Sequence, residues 1–208
     1  MAAMIAIERL ELPGVFLIRP RRFSDPRGYF IETYSRGEFR RAGIAHSFVQ
    51  DNESYSAKAG TIRGIHYQIQ PYAQDKLVRV QRGAVLDVVV DLRVDSPSFG
   101  EHAMVRLDAQ SAAEILVPTG FGHAMCTLED DTIIHYKVSA AYSPAHERGI
   151  AWDDPLLAID WPVAAEAAIV SDKDRRLPRF EEVPRGELFR LRDSEPAHSA
   201  AAEAAAVD

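Results

Sequence analysis

Three stretches, "KLVRVQRGAVLDVVVDLRVDSPSFG" from Lys76, "HAMVRLDAQSAAEILVPTGFG" from His102 and "HAMCTLEDDTIIHYKVSAAYSP" from His123, are made of short β-branched runs broken by turn residues. The breaks recur about every 8–12 positions, the spacing of an antiparallel sandwich or barrel. A parallel sheet would need helical stretches between its strands, and none intervene here. The expected fold is therefore all-β, a jelly-roll β-sandwich with a few short peripheral helices.

Local signals fill in the connections. Gly83 after "VQR" suits a hairpin that needs positive φ, and "DSPSFG" and "EDD" are turn-forming clusters. Ser35 and Glu38 in "SRGEFRRAG" have capping-box spacing, with Gly43 placed to close a short helix. A second short helix is expected after "WDDP", where Pro155 suits a first helical turn. Residues 1–192 are expected to form one domain, and residues 193–208, "DSEPAHSAAAEAAAVD", an alanine-rich low-complexity tail without apolar periodicity.

Charge and composition narrow the function classes. A net charge of -7 and the absence of basic runs argue against nucleic acid as a partner, so an anionic ligand must meet a local basic cluster. The start "MAAMIAIERLELPGVFLIRP" carries Glu8, Arg9 and Glu11 where a signal peptide would be apolar, and no stretch approaches the ~20 apolar residues that span a bilayer. One cysteine, Cys126, excludes an internal disulfide framework, fits a reducing compartment, and sits in "HAMCTL" as a small hydrophobe of a buried strand. The cytoplasm is the expected location.

No glycine-rich phosphate loop, dinucleotide fingerprint or G-x-S-x-G elbow occurs, so side chains must do the binding. What stands out is titratable residues inside apolar strand runs: Lys76 in "DKLVRV", His135 and Tyr136 in "IIHYKV", Arg63 and His66 in "TIRGIHYQ". An ordinary core rejects such groups, whereas a cavity lined by strand residues accommodates several together. On a strand His135 and Tyr136 face opposite sides, so at most one enters a cavity. His66 and His123, the latter in "PTGFGH", are the candidate metal ligands, fewer than the three or four a stable site needs, and no bound metal is expected.

Taken in order and spacing, "DPRGYFIETY", "FVQDN", "IRGIHYQ", "QDKLVRVQRGAVLDVVVDLR", "SPSFG", "VPTGFGHAM", "HYKVSAAYSP", "ERGIAWDDP" and "SDKDRRLP" resemble the dTDP-4-dehydrorhamnose 3,5-epimerase family over roughly residues 10–178. The resemblance implies a cupin-type jelly-roll homodimer that needs no metal or other cofactor and acts on a dTDP-4-keto-6-deoxy sugar nucleotide. It places the catalytic base on His66, its acidic partner on Asp174, the lysine near the enolate on Lys76 and the tyrosine acid on Tyr136. Substrate contacts would fall on Arg27, Phe30, Glu32, Gln50, Asn52, Arg63, His123, Tyr142 and Lys173.

The residue types suit the chemistry. The C3 and C5 protons flank the C4 ketone, so a base on one face, a donor on the other and a cation near O4 suffice. Histidine, with a reference pKa of ~6.5, accepts protons near neutrality, and tyrosine, near 10, stays protonated to return one. Two departures from the family's common wording stand out: "GFGHAM" in place of "GFAHGF", and "IRGIHYQ" in place of "LRGLHYQ". They leave open a monofunctional 3- or 5-epimerase. A metal-dependent cupin enzyme and a catalytically silent sugar-nucleotide binding module are the alternatives from other classes.

Overall fold

The computed structural model describes residues 3–194, so most of the expected tail, from residue 195 on, lies outside the described residues. Two antiparallel sheets face each other. The first runs in the order β1 (Ile5–Arg9), β2 (Phe16–Pro20), β10 (Glu114–Val117), β7 (Lys76–Arg82), β12 (Thr132–Val138) and β5 (Gln50–Ser56). The second runs β13 (Glu147–Gly149), β6 (Thr61–Gln68), β11 (Phe121–Thr127), β8 (Ala84–Asp91) and β9 (His102–Asp108), with β14 (Ile169–Val170) parallel to β6. A separate hairpin, β3 (Arg22–Asp25) and β4 (Gly28–Ile31), stands apart from both.

Between β5 and β13 the chain changes sheet at almost every connection, as a jelly roll does. Gly83 shows the consequence. Its φ is +78°, but β7 and β8 belong to different sheets, so the expected hairpin is instead a corner across the sandwich. A Cβ there would strike Thr132 Oγ1 at the start of β12.

Strand alternation sorts the side chains. Val78, Val80, Ile115 and Ile134 of the first sheet interdigitate with Val85, Val89, Leu107 and Phe121 of the second to form the inner core. The outer face of the second sheet is covered by the segment following β13, through Ile150, Leu157, Val183 and Phe189. The outer face of the first packs Ile18, Leu77 and Leu116 against Phe39 and Ile44. Cys126 points outward from β11 into an apolar cluster with Ile62 and Trp152, and burial pushes its thiol up to about 11, consistent with its reading as a packed hydrophobe.

The helix at "SRGEFRRAG" forms as α1 (Arg36–Arg41), with Ser35 Oγ accepting the Glu38 N–H and Gly43 at φ +85° just beyond it. The second expected helix does not form. Asp154 Oδ1 accepts the N–H groups of Leu156 and Leu157, and Ala158 at φ +46° ends the turn before a second one can begin. Asp154 also binds the Phe180 N–H, so its carboxylate staples two loops rather than starting a helix.

Gly83→Ala is expected to destabilise the fold by roughly 1–3 kcal/mol, since it combines left-handed backbone with a steric clash. Gly186→Ala, where an added Cβ meets nothing within 4 Å, should change the denaturant midpoint little. Equal midpoints for the two variants would contradict the corner geometry.

Candidate active site

At one end of the sandwich the inner face turns polar. A cavity of about 510 Å³ opens there, lined by Arg63 and His66 of β6, Lys76 of β7, His123 and Met125 of β11, Tyr136 of β12, and Lys173 and Asp174 after β14. His135, one step from Tyr136, is not among the lining residues, as strand alternation requires.

Alternation alone would also separate Arg63 from His66, three positions apart. They share the cavity because β6 is bulged: His66 pairs with His123 but Arg63 pairs with Met125, so three steps on β6 match two on β11. Gly64 occupies the bulge at φ +119°, where a Cβ would lie 2.6 Å from both Ala124 Cβ and His123 O. Only glycine fits this close approach.

His66 Nε2 lies 2.7 Å from Asp174 Oδ1, although the two are 108 residues apart. A carboxylate can only accept, so Nε2 carries the proton and Nδ1 is left with the free lone pair. Asp174 opens a one-turn helix (Asp174–Arg176), and its second oxygen takes the Gly64 N–H at 3.4 Å. Burial pushes its carboxyl up, but the hydrogen bond and charge of His66, with smaller help from Gly64 and Lys173, outweigh that and hold it below its ordinary value.

Facing this pair, Tyr136 comes from the opposite sheet. Burial raises its phenol and the Glu147 charge adds to that, while Arg63 opposes both, so it stays a proton carrier through the neutral range. Lys76 Nζ donates to the His66 carbonyl at 3.3 Å. Burial pulls its ammonium down to about 8, against the opposing charges of Asp87 and Glu147. His123 bonds through Nε2 to Asp87 at 2.9 Å, so each imidazole in the cavity is tied to its own carboxylate. Among the described residues no three His, Cys, Asp or Glu side chains cluster as a metal-ligand set.

Gln50 and Asn52 share a face of β5 and bond each other at 2.7 Å, while Gln50 Oε1 accepts the Tyr142 N–H at 3.2 Å. Tyr142 Oη donates to Glu147 Oε2 at 2.8 Å, and Lys173 Nζ reaches the same oxygen at 2.6 Å. Glu147 is thus the hub joining two residues expected as substrate contacts, and the sequence reading missed it. Its only signal was an acid opening "ERGIAWDDP". Asp87 was also missed, although an aspartate inside "AVLDVVVD" meets the criterion that picked out Lys76.

Arg27, Phe30 and Glu32, expected as substrate contacts, are not among the residues lining the cavity of their own chain, and neither are Gln50, Asn52 and Tyr142. Arg27 sits in the turn of the β3–β4 hairpin, ion-paired with Asp25 at 2.6 Å, and Phe30 is 66 % exposed. Within the chain the hairpin's aromatics meet only its own arginines, Arg22 over Tyr29 and Arg21 over Phe23, and Phe30 has no aromatic or cationic partner among the described contacts.

The match to the family described as dTDP-4-dehydrorhamnose 3,5-epimerase extends over residues 9–182. The chain belongs to that family. A dTDP-4-dehydrorhamnose 3,5-epimerase of Sinorhizobium fredii is 47% identical over 177 residues, 85% of this chain and 90% of the relative. The Bacillus anthracis enzyme of the same name, solved with TDP and PPi bound, is 49% identical at a TM-score of 0.79, covering 84% of this chain and 99% of that one. The Legionella pneumophila dTDP-6-deoxy-D-glucose-3,5-epimerase, solved with dTDP-4-keto-L-rhamnose, is 36% identical at a TM-score of 0.85, covering 89% and 98%. The cupin-type jelly roll and the isomerase class expected from the sequence are those of this family, and no helix among the described residues is long and apolar enough to cross a membrane.

With Lys76 acting as a cation, turnover should fall as its ammonium deprotonates above pH about 8. Lys76→Met should remove that alkaline limb along with most of the rate. A limb that persists in the variant would assign it to another group.

Proposed function

We propose that this chain inverts C3 and C5 of a dTDP-4-keto-6-deoxyhexose, each through an enolate. The C–H bond breaks, its proton passes to His66 Nδ1, and the electron pair moves onto the C4 carbonyl oxygen. The C–H bond then re-forms on the other face with the proton of Tyr136. The observation that carries this reading is His66 of one sheet, hydrogen-bonded to Asp174, with Tyr136 of the other sheet lining the same cavity.

The remaining residues take supporting parts. Asp174 fixes the tautomer of His66 and stabilises the imidazolium after proton transfer. Lys76 and Arg63 supply positive charge where the oxyanion develops, a contribution of roughly 3–4 kcal/mol in a site shielded from water. Lys173 and Arg27 serve the diphosphate, and Tyr142 and Phe30 offer aromatic surface to the nucleoside or sugar. Gln50, Asn52, Glu32 and His123 complete the polar wall. Epimerisation moves protons without net oxidation, so no cofactor enters the scheme, and the single buried Cys126 is compatible with the cytoplasm as compartment.

Arg27, Phe30 and Glu32 fit this scheme if the chain is a homodimer. The hairpin that cannot fill its own cavity, with Phe23, Tyr29 and Phe30 exposed, would lie over that of a second copy. Light scattering should then give twice the chain mass of 23.1 kDa, and a monomer would contradict the arrangement.

The catalytic reading has its own test. Incubation with dTDP-4-keto-6-deoxyglucose in deuterated water should place one deuterium at C3 and one at C5. The similarity to relatives named as 3,5-epimerases supports two inversions over one, and label confined to one carbon would establish the monofunctional alternative. His66→Ala should lower turnover by about 10²–10⁴-fold with dTDP binding retained. Unchanged turnover would leave only a binding module.

A further inference from the structure

Asp87 has no part in the scheme above, yet it is the acid most deeply placed beside the cavity. It is fully buried on β8, between the core residues Val85 and Val89 on the inner face. Both its oxygens lie within reach of His123 Nε2, at 2.9 and 3.1 Å, and His123 is its only described hydrogen-bond partner. A buried carboxylate with one donor is costly unless a positive charge also faces it.

That charge is Lys76, which enters from the other sheet. The cavity surrounds its ammonium with Arg63 and His66 from β6, His123 from β11 and Tyr136 from β12. Lys173 and Asp174 line the cavity too, and Glu147 of β13 is ion-paired with Lys173. Asp174 is committed to His66, and Glu147 to Lys173 and Tyr142. Of the acids acting on Lys76, Asp87 acts most strongly, ahead of Glu147.

We propose that Asp87 is a positioning residue of the epimerisation: it holds His123 protonated at Nε2 with Nδ1 as an acceptor, and it is the buried counter-charge of the Lys76 ammonium where the enolate oxygen forms. The inference rests on the epimerase reading. It divides the two imidazole–carboxylate pairs by task. His66–Asp174 moves the proton, and His123–Asp87 holds the charge arrangement that receives the electron pair. Sheet geometry makes the second pair possible, because His123 stands opposite Val89 and so lies diagonal to Asp87 on the same face.

Asp87→Asn keeps the shape and removes the charge. With less to hold its proton, Lys76 should deprotonate at lower pH, so the alkaline limb of turnover should move down by about one pH unit. Turnover at neutral pH should fall about tenfold or more, with KM for the nucleotide sugar changed far less. An alkaline limb at the wild-type position, whatever the rate, would overturn the proposal, because a merely structural aspartate would change only the fraction of folded enzyme. Should the variant fail to fold, nitrogen spectra of labelled histidines in the wild type decide: a proton on His123 Nε2 is expected, and an Nδ1–H tautomer with bare Nε2 overturns the proposal. Wild-type enzyme that incorporates no deuterium would sink the epimerase reading itself, a separate result.

Discussion

Three steps along β6 matched to two along β11 is the constraint on which the site depends. In a regular strand Arg63 and His66 would face opposite sides of the sheet, one in the cavity and one against the outer packing. The bulge brings both inward, and it requires Gly64, whose backbone sits where a methyl would collide with Ala124. The same glycine turns its N–H toward Asp174. A single backbone irregularity thus aims the arginine, aims the histidine and helps hold the carboxylate that orients it.

Electrostatics sets the second constraint. Burial penalises every charge in the cavity, so each stands with a partner: His66 with Asp174, His123 with Asp87, Lys173 with Glu147. Lys76 and Arg63 differ: Lys76 donates to the His66 carbonyl, and Arg63 to Ser56 Oγ and the Tyr55 carbonyl, so neither bonds a carboxylate. A cation held loosely by its surroundings, with a pKa pulled down to about 8, is still charged at neutrality and free to bind a developing oxyanion. A carboxylate in direct contact would keep it charged but would compete for the same protons.

Much of the fold was legible because it is local. β-branched runs and turn spacing gave the strands, and Ser35 gave its helix. Gly83 was readable as a position of positive φ but not as a corner, since torsion preference says nothing about which sheet the next strand joins. Pro155 suited a helix start, and Ala158 stopped it after one turn for reasons that no propensity carries. Polar residues inside apolar runs marked Lys76, Tyr136, Arg63 and His66, and the criterion reached Asp87 without being applied to it. Asp174 was different. It lies in the polar stretch "SDKD", 108 residues from its histidine, and only family resemblance pointed to it. Arg27, Phe30 and Glu32 likewise came only from the resemblance, because what a projecting hairpin is for shows in what its own chain leaves uncovered and in no local pattern.

The departures at positions 65 and 122 reduce to one event. A Cβ on residue 122 would come within 2.5 Å of Ile65 Cγ2, so the branched side chain at 65 occupies the volume that alanine would need at 122. Ile65 belongs to the cluster on the outer face of the second sheet, with Val88, Val90 and Leu92, and away from the cavity. That paired change is therefore repacking behind the site. Met125 is the position in "GFGHAM" that faces the cavity, opposite Arg63 across the bulge. An unbranched thioether there makes a wall that adapts its shape where a phenyl ring would be fixed. Of these departures Met125 is thus the one that alters the cavity wall, and the proton-transfer residues stand as they are.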